Sequence, residues 1–332
     1  MCLSCGFIHL FSFYMKAKFL LPLVAAASLY SSVAFAQLGL GKPKDIAIVK
    51  SHPLVVILKD EDPKTLKKLT KKPEELAEYK ASIADYNRQM QELAPKLWKF
   101  SSAVEFKHES DLEALRKTKD TKVGVLKHAD FILGHHHYSA GPGGMSNPMN
   151  SYYSSEHISA LVLQVVGDGD ESKVWHVQLA PGPIYTSDII FSIASLQTYI
   201  QSRADGRKGK EMREEIAENS KRLPTKTLLI DEEDLKRGLT TADIKLVYPF
   251  PYQVVPRSTI ETAAASYDSH YAYIRLMPIN ERMMVQVAVD AATSDLMGYS
   301  LPSMVPMVGS LIANGGSVTK GNLKDFAKVG GK

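Results

Sequence analysis

The stretch Val162–Leu179, VLQVVGDGDESKVWHVQL, sets the architecture, because Met284–Leu301, MVQVAVDAATSDLMGYSL, echoes it without a gap. At an offset of 284 − 162 = 122, Gln164 falls on Gln286, Val165 on Val287, Asp168 on Asp290, Ser172 on Ser294 and Leu179 on Leu301. Repetition at a fixed spacing indicates a duplicated structural unit and is weighed before any local pattern.

Upstream, Val104–Leu126 lies on Tyr252–Ile274 at an offset of 252 − 104 = 148. Ser110 with Glu113, and Ser258 with Glu261, both spell the S-x-x-E capping box, so each half is expected to start a short helix at the same place. The opening strands PLVVIL and TLLI match at an offset of 172, which puts KDED (Lys59–Asp62) on DEED (Asp231–Asp234). Each half then reads strand, helix, strand, helix, strand, strand, strand, helix. The expected fold is α/β (α+β): two tandem small mixed sheets flanked by helices, β-α-β-α-β-β-β-α in each. Pro73 opens the longest helix, whose apolar residues Leu76, Tyr79, Ile83, Tyr86, Met90, Leu93 and Leu97 form one stripe. The last helix of the second half is expected near Val305–Ala313.

The two offsets differ by 148 − 122 = 26 residues, so the first half carries an insertion, GHHHYSAGPGGMSNPMNSYYSSEH, read as an irregular loop over 129–155. The expected organisation is a first repeat over 44–204, a charged linker over 205–225 that is helical in part, a second repeat over 226–316, and a Gly- and Lys-rich tail over 317–332 with a short helix around Leu323–Val329.

Met15–Ala36, MKAKFLLPLVAAASLYSSVAFA, has a basic start, an apolar run and a small-x-small site, the order of a secretory signal. Residues 1–36 are therefore read as a signal peptide with Met15 the expected start, and the mature protein as exported, periplasmic or extracellular. Both cysteines, Cys2 and Cys5, precede it, so the mature chain is expected to lack thiol chemistry. Without Lys16 and Lys18 the chain has 40 − 2 = 38 basic and 36 acidic side chains, a net +2. That balance gives no argument for a nucleic-acid partner or for a membrane surface, and no later segment is long and apolar enough to span a bilayer.

The order of elements resembles the amino-terminal domain of TolB and its relatives in CsgG and penicillin-binding-protein activators. The likeness rests on a strand ending in acidic residues, YQVVPRSTIETAAAS, YAYIRL and the VQVAVDAATSDLMG hairpin with Asp290, Thr293 and Gly298. It covers roughly residues 226–313 and, more loosely, 52–203. The chain as a whole resembles secreted proteins of the Bacteroidetes. The resemblance implies a binding or assembly module and supplies no catalytic residue.

No G-x-S-x-G, H-E-x-x-H, Walker A or G-x-G-x-x-G motif is present, so no catalytic residue is expected. Three features carry what chemistry there is. His135, His136 and His137, with His157, supply imidazoles for a divalent metal; the alternative is a solvated loop. Asp60, Glu61 and Asp62, with Asp231, Glu232, Glu233 and Asp234, follow the first strand of each half, where α/β sheets bind ligands, and carboxylates hold Ca²⁺; acidic residues equally favour helix starts. The turn GDGDES (Gly167–Ser172) reads as a hairpin turn, not a calcium loop. The favoured function is an exported non-catalytic binding or envelope-assembly module acting on an envelope or secreted protein, with no cofactor. The alternative is a metal-dependent hydrolase or metal-binding protein using the His-rich loop.

Overall fold

Two five-stranded sheets repeat one plan. The structure, a computed structural model, describes residues 42–119, 121–139, 151–207, 209–278, 284–301, 304–307, 310–313 and 316–331. The signal-like segment and both cysteines lie outside them. The described residues belong to one compact unit, 38–332.

The first sheet has the order β2-β1-β3-β4-β5, with β1 Leu54–Leu58, β2 Val104–His108, β3 Val123–Ser139, β4 Ser151–Gly167 and β5 Asp170–Gln178. The second has the order β7-β6-β8-β9-β10, with β6 Thr227–Asp231, β7 Tyr252–Val255, β8 Tyr271–Pro278, β9 Met284–Asp290 and β10 Leu296–Ser300. In each, the second strand in that order, β1 or β6, pairs in parallel with both neighbours, and the last two pairings are antiparallel. This is the expected mixed-sheet α/β repeat. β1 and most of β6 are buried along their length and uniformly apolar, as strands covered on both faces must be.

Helices α1 Pro43–Ser51, α2 Pro63–Leu69, α3 Pro73–Leu97, α4 Leu112–Lys117 and α5 Thr186–Ala204 belong to the first repeat. The second has α6 Gly209–Ser220, α7 Thr241–Val247, α8 Arg257–Ala265 and α9 Lys320–Gly330. Leu112 and Leu115 of α4 cover Val55, Ile57, Val125 and Val166 on one face of the first sheet. On its other face α1, α3 and α5 bury Leu54, Val56, Leu126, Leu161, Leu163 and Trp175 in a core that runs on into Ile260 of α8 and Tyr273, Val285, Val287 and Val289 of the second sheet. A separate cluster holds α7 and α9 to the far face through Ile244, Tyr248, Leu323 and Phe326. The layers therefore run α4, sheet one, α1/α3/α5, α8, sheet two, α7/α9. The repeats stack head to tail and share a core.

Strand pairing corrects the alignment. Val55 pairs with Val125 and Leu229 with Tyr273, so a β3-to-β8 offset of 273 − 125 = 148 requires a β1-to-β6 offset of 229 − 55 = 174, not 172. Val125 pairs with Gln164, and Tyr273 with Val289, which sets β4 on β9 at 289 − 164 = 125, not 122. The gapless echo had set Gln164 on Gln286, but Gln164 shares a sheet face with Val166, which packs under α4, whereas Gln286 faces α9 through Asn322. A shift by an odd number of residues turns every side chain to the other face, so the matched letters were coincidental and the matched topology was not. Both final hairpins also carry an irregularity at the same place: one unpaired residue, Val174 in β5 and Met297 in β10. The insertion becomes 148 − 125 = 23 residues.

Other expectations change as well. The insertion is not an irregular loop: β3 and β4 continue as a paired ribbon to Ser139↔Ser151, with residues 140–150 outside the described set. Neither S-x-x-E segment is a capping box. A 3-10 turn, Glu109–Asp111, precedes α4, and there the His108 N–H donates to Asp111 Oδ2 at 2.9 Å. Ser258 lies within α8, which starts after Pro256. The segment Val305–Ala313 forms a hairpin, β11 Met304–Met307 with β12 Ser310–Ala313, where Pro306 has no N–H for a helical bond. The closing helix is α9, capped by Thr319, in the expected tail; α6, in the expected linker, packs along β10.

Two glycines are forced. At Gly167 (φ +143°) a Cβ would sit 2.2 Å from the Thr121 carbonyl oxygen, and the adjacent N–H groups of Asp168 and Gly169 donate to Thr118 and Arg116 carbonyls. The GDG turn is thereby clamped to α4 as a hairpin turn. At Gly124 a Cβ would lie 3.1 Å from Val49 Cγ2, because α1 lies directly on the strand.

Candidate functional site

The acidic residues are engaged in structure. Asp60 accepts from the Ser110 N–H (2.9 Å) and contacts His108 Nδ1 (2.7 Å). Desolvation is the largest single influence on its carboxyl and acts upward, but the bonds from Ser110 and His108 together hold it below the usual range. Glu61 pairs with Lys80 at 3.3 Å in an exposed setting. Asp62 caps α2, accepting from the N–H groups of Lys64 and Thr65, and those bonds with the Thr65 hydroxyl lower its pKa. Asp231 and Asp234 share one guanidinium: Arg257 Nε lies 2.6 Å from Asp231 and its terminal nitrogen 2.9 Å from Asp234. Desolvation, reinforced by the neighbouring Asp231 and Glu233, pushes Asp234 up to about 6 against the pull of Arg257. The Glu232 N–H donates to the Val255 carbonyl and the Glu233 N–H to Asp231, so both shape the strand end. Among the described residues no cluster of His, Cys, Asp or Glu is arranged to hold a metal ion.

His135, His136 and His137 lie on β3, opposite Ser155, Ser154 and Tyr153, and His157 lies on β4 opposite Ile132. They sit on the ribbon rather than an irregular loop, and their side chains lie outside what is described.

Two polar clusters were not foreseen. The first sits where the ribbon leaves the sheet, at the carboxyl end of β1. His128 Nε2 and Ser159 Oγ share a hydrogen bond of 2.6 Å across β3 and β4. The imidazole packs edge-on to the Tyr86 ring, centroids 5.9 Å apart, and the Lys59 ammonium lies 4.6 Å from the same ring. The Asn87 side chain clamps both the N–H (2.8 Å) and the carbonyl (3.0 Å) of Lys59. Desolvation lowers Lys59, opposed by Asp130 and Glu109. Desolvation, with repulsion from Lys59, lowers His128 to about 4, so the imidazole is neutral at pH 7. Such an imidazole is a weak base and does little to activate Ser159. What the cluster does is fasten β3 to β4, and both to α3, at the root of the ribbon. The sequence signal was a histidine in K-H-A-D two positions after the inward-facing Leu126, hence on the core side.

The second cluster is the seam between the repeats. Arg275 of β8 is 3% exposed; its Nε lies 2.9 Å from Asp188 of α5, its terminal nitrogen donates to the Gln178 carbonyl at 2.8 Å, and it lies 4.7 Å over Phe191. Glu261, expected to cap its own helix, instead accepts from the Ser187 N–H (2.8 Å) and hydroxyl (2.6 Å), satisfying the amino end of α5. Desolvation, the largest influence, raises Glu261 against those bonds, and Asp188 adds to the rise. Arg257 stacks 5.1 Å over Tyr185 beside them. The signal here was a charged residue at an inward strand position, Arg275 in YAYIRLMP, which reads as a buried pair awaiting its partner.

Among the described residues no helix is long and apolar enough to cross a membrane. Compared with models of protein families, with curated proteins and with solved structures, the chain has no match in any of the three.

Proposed function

We propose that the protein is an exported, non-catalytic binding or assembly module whose β3–β4 ribbon engages an envelope or secreted protein through its open strand edges. One observation carries this reading. β3 and β4 stay paired from Val123↔Val166 to Ser139↔Ser151, yet among the described residues no third strand pairs with β3 beyond Leu126 or with β4 before Ser159. Proteins guard free edges with lysine, other charges or proline. From Phe131 to Ser155 there is no Asp, Glu, Lys or Arg, in a chain that is 23% charged. A two-stranded ribbon is marginal alone, and addition of a partner strand is an established mode of recognition. The anchored root at His128–Ser159 supports the same reading, as does the resemblance to TolB-like and CsgG-like modules.

The test exploits the register. Ile132 faces His157, so replacing Leu133–Glu156 by Asn-Gly closes the hairpin with a two-residue turn. The shortened protein is expected to melt as the parent does and to lose a partner that the parent captures from an envelope fraction. Capture of the same proteins by both forms refutes the proposal. Loss of Zn²⁺ binding alone, with no protein partner affected, moves the assignment to the histidines.

A further inference from the structure

The outer helix layer of the second repeat presents a chemistry that the ribbon reading does not use. Lys320, Lys324 and Lys328 recur every four residues along α9 and are all exposed, while Leu323 and Phe326 face the core. Next to α9, α7 turns Ile244 and Tyr248 inward and leaves Lys245 exposed and Leu246 82% exposed. Lys236 and Arg237, in the connection from β6 to α7, line one surface depression with Thr319 and Lys320. Residues 235–250 and 316–331 hold six basic side chains (Lys236, Arg237, Lys245, Lys320, Lys324, Lys328) and two acidic ones (Asp243, Asp325), a net +4. The compact unit 38–332 carries 38 − 36 = +2 in all, so this layer is more positive than the unit taken whole. Asp243 and Asp325 pair with Lys320 (2.7 Å) and Lys328 (3.7 Å), exposed contacts that do little to neutralise the face.

The hairpin that leads into α9 adds the second ingredient. From Leu296 to Thr319 there is no charged residue, and the strands read MVPM and SLIA, paired to each other and to neither sheet. An apolar segment next in sequence to a basic face is a combination by which proteins attach to anionic membrane surfaces, apolar groups entering the interface while lysines remain at the headgroups. We infer that the α7–α9 layer and the β11–β12 hairpin form a peripheral docking face for an anionic phospholipid bilayer. This inference goes beyond the ribbon's role and stands without it.

The test uses the chain from Leu38 onward, which removes the apolar run at Phe19–Ala27 while keeping the compact unit intact. Flotation is measured with vesicles of phosphatidylcholine alone and with vesicles containing about one third phosphatidylglycerol. Binding is expected to the second and not the first, and to weaken as salt rises. Each lysine near such a surface is worth about fivefold in affinity, so Lys245→Gln, Lys324→Gln and Lys328→Gln together should weaken binding by about a hundredfold. Leu246→Ser with Leu311→Ser should weaken it by about fivefold or more at unchanged lipid composition. Thermal melts confirm that each variant is folded; if the triple variant is not, the three single variants replace it. Equal binding to both vesicles, or unchanged binding of the lysine variants, overturns the inference. So does binding to a soluble polyanion such as heparin with no binding to any vesicle, which would point to an acidic macromolecule instead.

Discussion

Replacing Arg275 by methionine tests the seam. Arg275 and Asp188 are both nearly inaccessible, 3% and 7% exposed. Methionine of similar length fills most of the volume but removes the 2.9 Å ion pair and the 2.8 Å bond to the Gln178 carbonyl. Asp188 would retain one bond, from the Tyr185 N–H at 3.2 Å, with its charge buried and unpaired. Removing one member of a buried pair costs about 3–5 kcal/mol, and the value near 4 is expected here, since the contact with Phe191 is lost too. Adding Asp188→Asn removes the stranded charge and keeps the capping oxygen. The double variant should therefore recover to within about 1–2 kcal/mol of the parent, particularly as Arg275 already carries a buried terminal nitrogen without a partner. Urea unfolding followed by circular dichroism reads both values, with unchanged m showing a common transition. A loss below about 1 kcal/mol for the single variant, or no recovery in the double, refutes the view that the pair is buried and coupled.

Between pH 6.5 and 4 two groups act in opposite directions. His128, lowered to about 4, contributes stability that is present above its unfolded pKa near 6.5 and lost as pH falls toward 4, up to about 3 kcal/mol. Asp234, raised to about 6, contributes stability that is present below its unfolded pKa and lost as pH rises through 6, again about 3 kcal/mol at most. His128→Asn should make the protein more stable at pH 4.5 relative to pH 7 than the parent is, and Asp234→Asn should do the reverse; urea titrations at both values that show no change in either difference refute the assignments. Gly124→Ala should cost about 1–2 kcal/mol, because its Cβ would press on Val49 at 3.1 Å, and Val49→Ala should relieve the clash; a neutral Gly124→Ala melt would show that α1 does not bear on the strand.

The architecture was legible because its signals are local and repeated. Apolar strands, the Pro73 helix stripe and the doubled order of elements each survive in the structure, and the offset of 148 fixed β2 and β3 on β7 and β8. Register was not legible where letters outweighed faces: the Gln164–Gln286 match concealed a change of sheet face that only pairing reveals. The capping boxes failed because Glu113 turns to Lys117 along its own helix, while Glu261 finds the Ser187 N–H, a partner 74 residues away that no local motif encodes. The inserted segment was read from its Gly, Ser and Pro content, yet its two flanks find each other as strands, since cross-strand pairing is set by the partner and not by composition. Of the candidate carboxylates, Asp62 caps α2, Asp60 accepts from the Ser110 N–H, and Glu61, Asp231 and Asp234 form ion pairs. His128, Ser159, Asp188 and Arg275 were passed over because each becomes notable only beside its partner.

The two repeats differ where they would meet further copies. Arg275 reaches back to Asp188, but its equivalent in the first repeat, Lys127, pairs with Glu171 beside it at 3.6 Å. Asp188, third residue of α5, corresponds to Asn322, third residue of α9, which is turned inward to Gln286 and Ser300. The joint that couples one unit to the next is thus made once among the described residues. In solenoid terms the Arg275–Asp188 joint occurs once, because the equivalent residues Lys127 and Asn322 are taken up by partners in their own repeats. The same feature makes the halves interdependent: the second alone would uncover Tyr273, Val285 and Val287, so a cut between Ala204 and Gly209 should leave two fragments that stay together and unfold together.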